Sequence, residues 1–165
     1  MKAVLRSEVV EIDGDESTVW YLDSPHGVST NLNQALREDV LECQWIDQDE
    51  TLLQVRYSNW DSRELIAIVN HNGQLLRNAI VEIYRFLPEH ALFIAEMYFA
   101  DMGAESAYYS VSEFETKLGV IDRYGKFVVS PIYGRIIFDD DDAVFYAHGN
   151  GEKPDKFDID GRAIG

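Results

Sequence analysis

Two stretches of this chain carry one pattern: Ala67-Ile68-Val69-Asn70-His71-Asn72-Gly73-Gln74-Leu75-Leu76 and Gly119-Val120-Ile121-Asp122-Arg123-Tyr124-Gly125-Lys126-Phe127-Val128. They align without a gap at an offset of 52 residues (119 − 67). Each stretch has an apolar run, a polar turn closed by glycine and a second apolar run, which is the pattern of a β-hairpin. The two turns, Asn70 to Gly73 and Asp122 to Gly125, are therefore predicted to be equivalent.

The correspondence continues beyond the two hairpins. At the same offset, Ala91-Leu92-Phe93-Ile94-Ala95 meets Ala143-Val144-Phe145-Tyr146-Ala147. Near the end of the chain, Phe157 to Ile164 repeats the hairpin pattern at an offset of 36 residues (161 − 125). We predict internal repeats at about 65–97 and 117–149 with a partial copy at 155–165, an arrangement that indicates architecture rather than chemistry.

The first third of the chain also favours hairpins. Met1 to Ile12 and Thr18 to Leu22 flank a cluster of turn-forming residues, and Cys43 to Asp47 pairs in the same way with Leu52 to Tyr57. Between these hairpins, Asn33 to Leu41 has apolar residues at helical spacing, with Asn31 or Asn33 available as the N-cap.

The segment from Glu96 to Leu118 has no clear period, and we expect a loop followed by a strand there. The predicted fold is a single domain of residues 1–165. It is mainly antiparallel β, built from hairpin repeats, with one short helix.

Composition limits the class of protein. With 165 residues and a hydrophobic fraction of 46%, the chain is long enough to enclose a core. No window holds the run of roughly 18 apolar residues that a membrane-spanning helix needs. Arg6, Glu8 and Glu11 interrupt the apolar core that a secretory signal would need, and Cys43 has no second cysteine for a disulfide. We expect a cytoplasmic protein without a membrane partner.

The net charge is the strongest compositional feature. Thirty acidic and 14 basic residues give a formal charge of −16, and no window clusters the lysines and arginines that bind phosphate groups. We therefore expect no nucleic-acid partner. A basic protein partner would be attracted by this charge. The alternative is that the acidity serves only solubility.

The stretch Gly119-Val120-Ile121-Asp122-Arg123-Tyr124-Gly125-Lys126-Phe127-Val128-Val129-Ser130-Pro131-Ile132-Tyr133 resembles a bacterial WG repeat, which reads roughly W-G-[YV]-I-D-x-x-G-K-x-V-I-x-P-x-Y. Leu118 and Ile66 stand where the family has its tryptophan. The resemblance covers the two repeats and the C-terminal fragment. It implies β-hairpin repeats and an interaction function rather than a reaction.

A run of four aspartates, Asp139 to Asp142, is the predicted partner-binding site, with Tyr133 or Tyr146 as an aromatic anchor. The run has carboxylates that hard cations prefer, but it lacks the alternating spacing and the glycine of a calcium loop. Asp158-Ile159-Asp160-Gly161 and Asp13-Gly14-Asp15 have the same weakness. We therefore interpret all three as turns and predict no metal site.

Catalytic motifs are absent from the sequence. The four histidines are scattered, Gly-x-Ser-x-Gly and phosphate-binding glycine motifs are missing, and Cys43 lies in an apolar run where an inert buried thiol is expected. We predict no catalytic residues and no cofactor. The leading hypothesis is a noncatalytic protein-interaction module, in its sharper form an acidic inhibitor or immunity-type protein for a basic partner. The alternative is a small hydrolase or ligand-binding enzyme with an unrecognised site.

Overall fold

Antiparallel strands make up most of residues 1–98 and 116–165, which are the residues that the computed structural model of the protein describes. The predicted fold class, mainly antiparallel β with a short helix, is confirmed. Where the sequence predicts one domain of residues 1–165, the contacts along the chain group into two compact units, Met1–Ala79 and Ile80–Gly165. The boundary falls inside the first predicted repeat, at 65–97, so the units and the repeats divide the chain differently.

The first unit contains a hairpin, a short helix and a meander. Its elements are β1 (Val4–Ile12), β2 (Asp15–Asp23), β3 (Ser29–Asn31), α1 (Leu32–Leu36), β4 (Asp39–Trp45), β5 (Leu52–Ser58) and β6 (Glu64–Asn70). Strand β2 pairs with both β1 and β3, and β5 pairs with both β4 and β6, always antiparallel. The apolar runs of β5 and β6 form the core with Leu22 and Leu32, which are fully buried. Strand β7 (Leu75–Leu87) begins in this unit and continues into the second.

Helix α1 is shorter than the sequence predicts. Asn31 is its N-cap, and the Asn31 side chain accepts a hydrogen bond from the Gln34 amide at 3.0 Å. The helix ends because Arg37 adopts a left-handed conformation, with φ 57°. The predicted continuation to Leu41 is wrong, since Val40 is buried in strand β4 opposite Tyr57. Pairing with β5 outweighs the helical spacing of the apolar residues there.

The second unit holds the remaining strands. They are the later part of β7, then β8 (Leu92–Tyr98), β9 (Thr116–Asp122), β10 (Phe127–Tyr133), β11 (Arg135–Asp139), β12 (Val144–His148) and β13 (Asp155–Phe157). Strands β7 to β10 pair in chain order, and β12 pairs with β11 and β13. Phe145, Val120 and Val129 lie at the centre of the core. Residues 99–115 lie outside the described part of the chain, and so does most of the loop and strand expected within 96–118. At the two ends of that segment, residues 96–98 and 116–118 belong to strands β8 and β9.

The two turns predicted to be equivalent have the same hydrogen bonds. The side-chain oxygen of Asn70 accepts from the amides of Asn72 and Gln74, each at 3.0 Å. That of Asp122 accepts from the amides of the equivalent residues, each at 2.9 Å. Gly73 and Gly125 close the turns with φ 85° and 81°, a conformation that side chains disfavour. The prediction of equivalent turns is confirmed.

Strand boundaries also follow the offset of the two stretches. Strands β6 and β9 begin at residues 64 and 116, β7 and β10 at 75 and 127, and β8 and β12 at 92 and 144. The C-terminal fragment forms the same turn, because the Asp158 side chain accepts from the amides of Asp160 and Arg162 at 2.9 Å. Local turn chemistry therefore sets the positions of the strands in both units.

Candidate functional site

The four aspartates of the predicted partner-binding site form the turn between β11 and β12. Asp139 accepts hydrogen bonds from the amides of Asp141 and Asp142 at 2.9 and 3.2 Å, so its carboxylate serves as a cap within the turn. Asp140 receives the Arg85 guanidinium on both carboxylate oxygens, at 2.8 and 2.9 Å. Asp141 and Asp142 are exposed and carry the charge that this turn offers to a partner.

The two predicted tyrosine anchors occupy different environments. Tyr133 is 6% exposed, donates its hydroxyl hydrogen bond to Asp155 at 2.8 Å and meets the edge of Phe157. Burial, together with the carboxylate of Asp155, raises the pKa of Tyr133 to about 12. Tyr133 is thus part of the core and not a surface anchor. Tyr146 is half-buried, beside Ile137 on β11 and 5.6 Å from the Lys156 ammonium.

A more strongly acidic surface lies at the far end of the β1–β2 hairpin. The turn consists of Asp13 and Gly14, both with positive φ, as two-residue hairpin turns require. We call residues 8–17 the acidic arm. It contains five carboxylates and no basic residue: Glu8, Glu11, Asp13, Asp15 and Glu16. All five are exposed. Sequence reasoning predicted the hairpin here but did not treat it as a site, although the density of acidic residues around Asp13-Gly14 was the available signal.

The acidic arm holds like charges close together, and four of its five carboxylates have no neutralising cation within the described residues. Glu11 and Glu16 are directly opposite each other on β1 and β2, an arrangement that destabilises a strand pair. Glu8 accepts from Arg6 at 2.7 Å. In the part of the chain that the structure describes, no ion pair involves Glu11, Asp13, Asp15 or Glu16. Such repulsion is tolerable in a folded protein, and a basic partner would relieve it.

Arg6 anchors the base of the hairpin. Its guanidinium donates to Asp23 at 2.8 Å, to Glu8 at 2.7 Å and to Ser29 at 3.2 Å, and it lies over the Tyr21 ring at 4.3 Å. The hydrogen bond from Arg6 holds the pKa of Asp23 below its ordinary value. Arg6 therefore connects β1 to β2 and β3 at the end of the hairpin that is opposite to the acidic arm.

Acid should release this anchor. Because the folded-state pKa of Asp23 is lowered, its contribution to stability is present above its unfolded-state pKa and is lost as the pH falls through the folded-state pKa. We expect Arg6→Gln to lower the melting temperature at neutral pH and to have a shrinking effect as the pH falls through the folded-state pKa of Asp23. Melting curves against pH measure this difference. Arg123→Gln makes the same charge change at an exposed residue, and its difference in melting temperature from the wild type should not shrink in this way as the pH falls. A difference for Arg6→Gln that stays constant with pH would contradict the pairing of Arg6 with Asp23.

A cleft of about 550 Å³ lies in the second unit. Its polar lining comes from six residues: Tyr84, Arg85, Glu96, Thr116, Lys117 and Arg135. Its apolar lining includes Ile94, Leu118 and Phe138. The Tyr84 hydroxyl donates to Glu96 at 3.0 Å, which raises the pKa of that tyrosine. Of the three cationic residues in this lining, Arg85 is paired with Asp140, and Lys117 and Arg135 are the cationic groups that would attract a small anion above the apolar lining.

The four histidines and the one cysteine of the chain all lie within the described residues, on separate turns and strands. His26, His71, His90 and His148 are dispersed, and His90 packs against the Phe138 ring at 5.7 Å. Burial raises the pKa of the Cys43 thiol to about 12, which leaves little thiolate at neutral pH. Among residues 1–98 and 116–165, no three His, Cys, Asp or Glu side chains are grouped to hold a metal ion. The same residues include no helix of the length and apolarity needed to cross a bilayer.

Salt should stabilise the fold by screening the excess negative charge. We expect a higher melting temperature at moderate ionic strength than in very dilute buffer, since the chain carries a formal charge of −16. Thermal melts in sodium chloride and in calcium chloride of equal ionic strength measure the effect. Calcium chloride should raise the melting temperature no more than sodium chloride does, because the carboxylates of Asp139 and Asp158 already accept hydrogen bonds from backbone amides. A saturable rise at micromolar calcium would instead indicate a cation site.

The chain matches no protein-family model, and comparison with curated proteins found no match either. Its resemblance to the WG repeat family stays a prediction that rests on the residues from Gly119 to Tyr133.

Proposed function

We propose that this chain is a noncatalytic protein-binding module whose partner is a basic protein. The observation that carries the proposal is the acidic arm, where Glu11, Asp13, Asp15 and Glu16 project from a hairpin without a cation within the described residues. A positively charged protein surface would gain from meeting these carboxylates and would be drawn to them at long range.

The charge is not confined to one part of the chain. Residues 1–79 contain 14 acidic and six basic residues, and residues 80–165 contain 16 and eight, so each unit has a net charge of −8. A field of this sign accelerates encounters with basic proteins and repels acidic ones. It also disfavours nucleic acid as a partner, because the phosphates would be repelled.

The site predicted from the sequence becomes a secondary contact in this proposal. Asp141 and Asp142 extend from the turn between β11 and β12, while Asp139 and Asp140 are held within the chain. Tyr146, with Ile137 beside it, supplies apolar surface of the kind that dominates binding energies. Tyr133 takes no part.

The sharper form of the proposal is an acidic inhibitor of the immunity type, acting in the cytoplasm by covering a basic surface of its target. Tight inhibitors of basic enzymes need acidic side chains on a stable scaffold and need no catalytic group of their own. The hairpins supply such a scaffold, because Arg6 and the buried Leu22 of β2 fix the base of the acidic arm.

Affinity capture from the source cell tests this function. The wild-type chain serves as bait beside two variants that each lose four negative charges. The arm variant is Glu11→Gln/Asp13→Asn/Asp15→Asn/Glu16→Gln. The control variant is Asp49→Asn/Asp61→Asn/Glu89→Gln/Glu152→Gln, at exposed residues outside both proposed contacts. A basic protein retained by the wild type and the control but lost from the arm variant supports the proposal; recovery of only acidic proteins, or of none, contradicts it.

The cleft of the second unit favours one alternative, a site for a small anionic ligand and thus a ligand-binding protein or enzyme. Lys117 and Arg135 would attract the anion, and Ile94 and Phe138 would contact its apolar part. A simple aromatic carboxylate such as benzoate is a suitable probe. A saturable rise in melting temperature that is lost in Arg135→Gln would support this alternative.

A further inference from the structure

Strand β1 has one paired edge and one open edge in the first unit. Its nine residues pair with β2 from Val4 opposite Asp23 to Ile12 opposite Asp15, and within residues 1–79 it pairs with no other strand. An exposed edge of this length offers a row of unpaired backbone N–H and C=O groups. Backbone groups of this kind bind extended segments of other proteins by strand addition.

The register shows which backbone groups face the open edge. Ile12 and Asp15 flank the two-residue turn, and the pair next to such a turn exchanges both of its hydrogen bonds. Alternate residues of β1 from Ile12 back to Val4 therefore direct their N–H and C=O groups toward β2. The residues between them direct theirs outward: Leu5, Ser7, Val9 and Glu11.

The other edge of the hairpin is covered from Thr18 to Asp23. Trp20 donates its backbone N–H to the side-chain oxygen of Asn33 at 3.0 Å, and the carbonyl of Thr18 accepts from the Asn33 amide group at 3.4 Å. Strand β3 pairs with the remaining part of this edge, from Tyr21 to Asp23. Asn33 thus takes the place of a neighbouring strand beside β2, and β1 has no comparable cover within the first unit.

The side chains of β1 indicate what kind of strand would fit. Val9 is 68% exposed and Ile12 is 57% exposed, so each face of β1 carries an open apolar side chain. Each face also carries a carboxylate, Glu8 on the face of Ile12 and Glu11 on the face of Val9. An added strand would place its own side chains beside these, and a mixture of Lys or Arg with Val or Ile would match both charge and apolar contact.

We propose that β1 binds an extended basic segment of the partner protein as an additional antiparallel or parallel strand. This inference rests on the proposed function, from which the basic partner comes. A second copy of the chain fits less well, because each copy carries a charge of −16 and full antiparallel overlap of two β1 strands would place Glu8 opposite Glu8.

Amide hydrogen exchange measured by NMR tests strand addition on the intact chain. The probe is a peptide of alternating lysine and valine, nine residues long like β1. On binding, the amides of Ser7, Val9 and Glu11 should exchange more slowly, while those of Glu8 and Val10, already bonded to β2, should change little. Failure of the peptide to bind, or binding without protection of the outward-facing amides, would overturn the proposal.

Two matched controls separate backbone pairing from charge attraction. Two further peptides of the same sequence are N-methylated, one at the odd-numbered and one at the even-numbered residues. Each keeps its charge, but one of them loses the backbone N–H groups that would bond to β1. The affinity of that peptide should fall by at least about tenfold. On the protein side, Val9→Pro removes one outward-facing N–H and should weaken binding, whereas Val9→Thr keeps that N–H and should bind nearly as the wild type does. Equal affinities for the methylated and unmethylated peptides would show that charge alone accounts for binding.

The inference and the proposed function fail in different ways. The wild-type chain could capture a basic partner that leaves the amide hydrogen exchange of Ser7 and Val9 unchanged. That result would refute strand addition but would still support the proposed function. Absence of any basic partner removes the function itself. Should Val9→Pro disrupt the hairpin, the methylated peptide still decides the question on the unaltered protein.

Discussion

Gly161→Ala should lower the free energy of unfolding by about 2–3 kcal/mol, because two costs coincide at this residue. Gly161 has φ 80°, a conformation that alanine adopts only with strain. A Cβ atom there would also lie 2.2 Å from the backbone carbonyl oxygen of Val128 in strand β10. A backbone oxygen within a sheet cannot move aside as the end of a flexible side chain can, so the C-terminal turn or β10 would have to shift.

Gly14→Ala is the matched control for this substitution. Gly14 has a similar φ of 87°, but a Cβ atom there would meet nothing within 4 Å. Only the conformational cost should appear, about 1 kcal/mol. Denaturant unfolding of both variants gives the comparison. Equal losses would mean that the turn from Asp158 to Arg162 does not pack on β10, and the C-terminal fragment would then be an appendage rather than part of the second unit.

The sequence predicted those features that local chemistry determines. A short polar side chain followed three residues later by glycine specifies the turns at Asn70, Asp122 and Asp158, since the side chain bonds the turn amides and glycine tolerates positive φ. The hairpin around Asp13-Gly14 uses a different local signal, a two-residue turn in which both residues have positive φ. In each case residues within five positions of one another hold the turn together.

Features that depend on distant parts of the chain were not predictable in this way. The helix was extended too far because the pairing of Val40 with Tyr57 is a contact with another strand. The sequence predicts Tyr133 as a surface anchor, whereas it is buried, because alternation along a strand does not show which face is buried. Asp140 is engaged by Arg85, which is 55 residues away in the sequence.

The acidic arm combines both kinds of information. Its charge density is readable from residues 8–17, but the lack of a neutralising cation at Glu11, Asp13, Asp15 and Glu16 within the described residues is a property of the fold. Arg6 is near in sequence, yet its hydrogen bonds go to Asp23, Glu8 and Ser29 at the base of the hairpin. The strongest candidate for a binding surface therefore emerged only when the register of β1 and β2 was known.

Neutralising the acidic arm should slow association with the basic partner by about tenfold or more at low ionic strength. A tenfold change is at the lower end of the range over which electrostatic steering changes association rates. The arm variant defined above suits this test because its amides keep the size of the side chains. Its Asp13→Asn substitution gives the turn the dipeptide Asn-Gly, which two-residue hairpin turns also prefer, so the hairpin should be retained. Dissociation should change less, unless one of these carboxylates is buried by the partner.

The control variant, altered at Asp49, Asp61, Glu89 and Glu152, has the same net charge as the arm variant. It should associate nearly as fast as the wild-type chain, because steering depends on where the charge lies as well as on its total. If the control variant is slowed and the arm variant is not, the arm is not the contact and the binding face includes at least one of the four control residues.

The association rate constant of the captured partner, measured against ionic strength for the wild type and both variants, tests the central claim most directly. The account predicts a steep fall with added salt for the wild type and the control variant, and a slower, flatter dependence for the arm variant. Three curves that coincide, or a wild-type rate that does not depend on salt, would contradict recognition of a basic partner by the acidic arm.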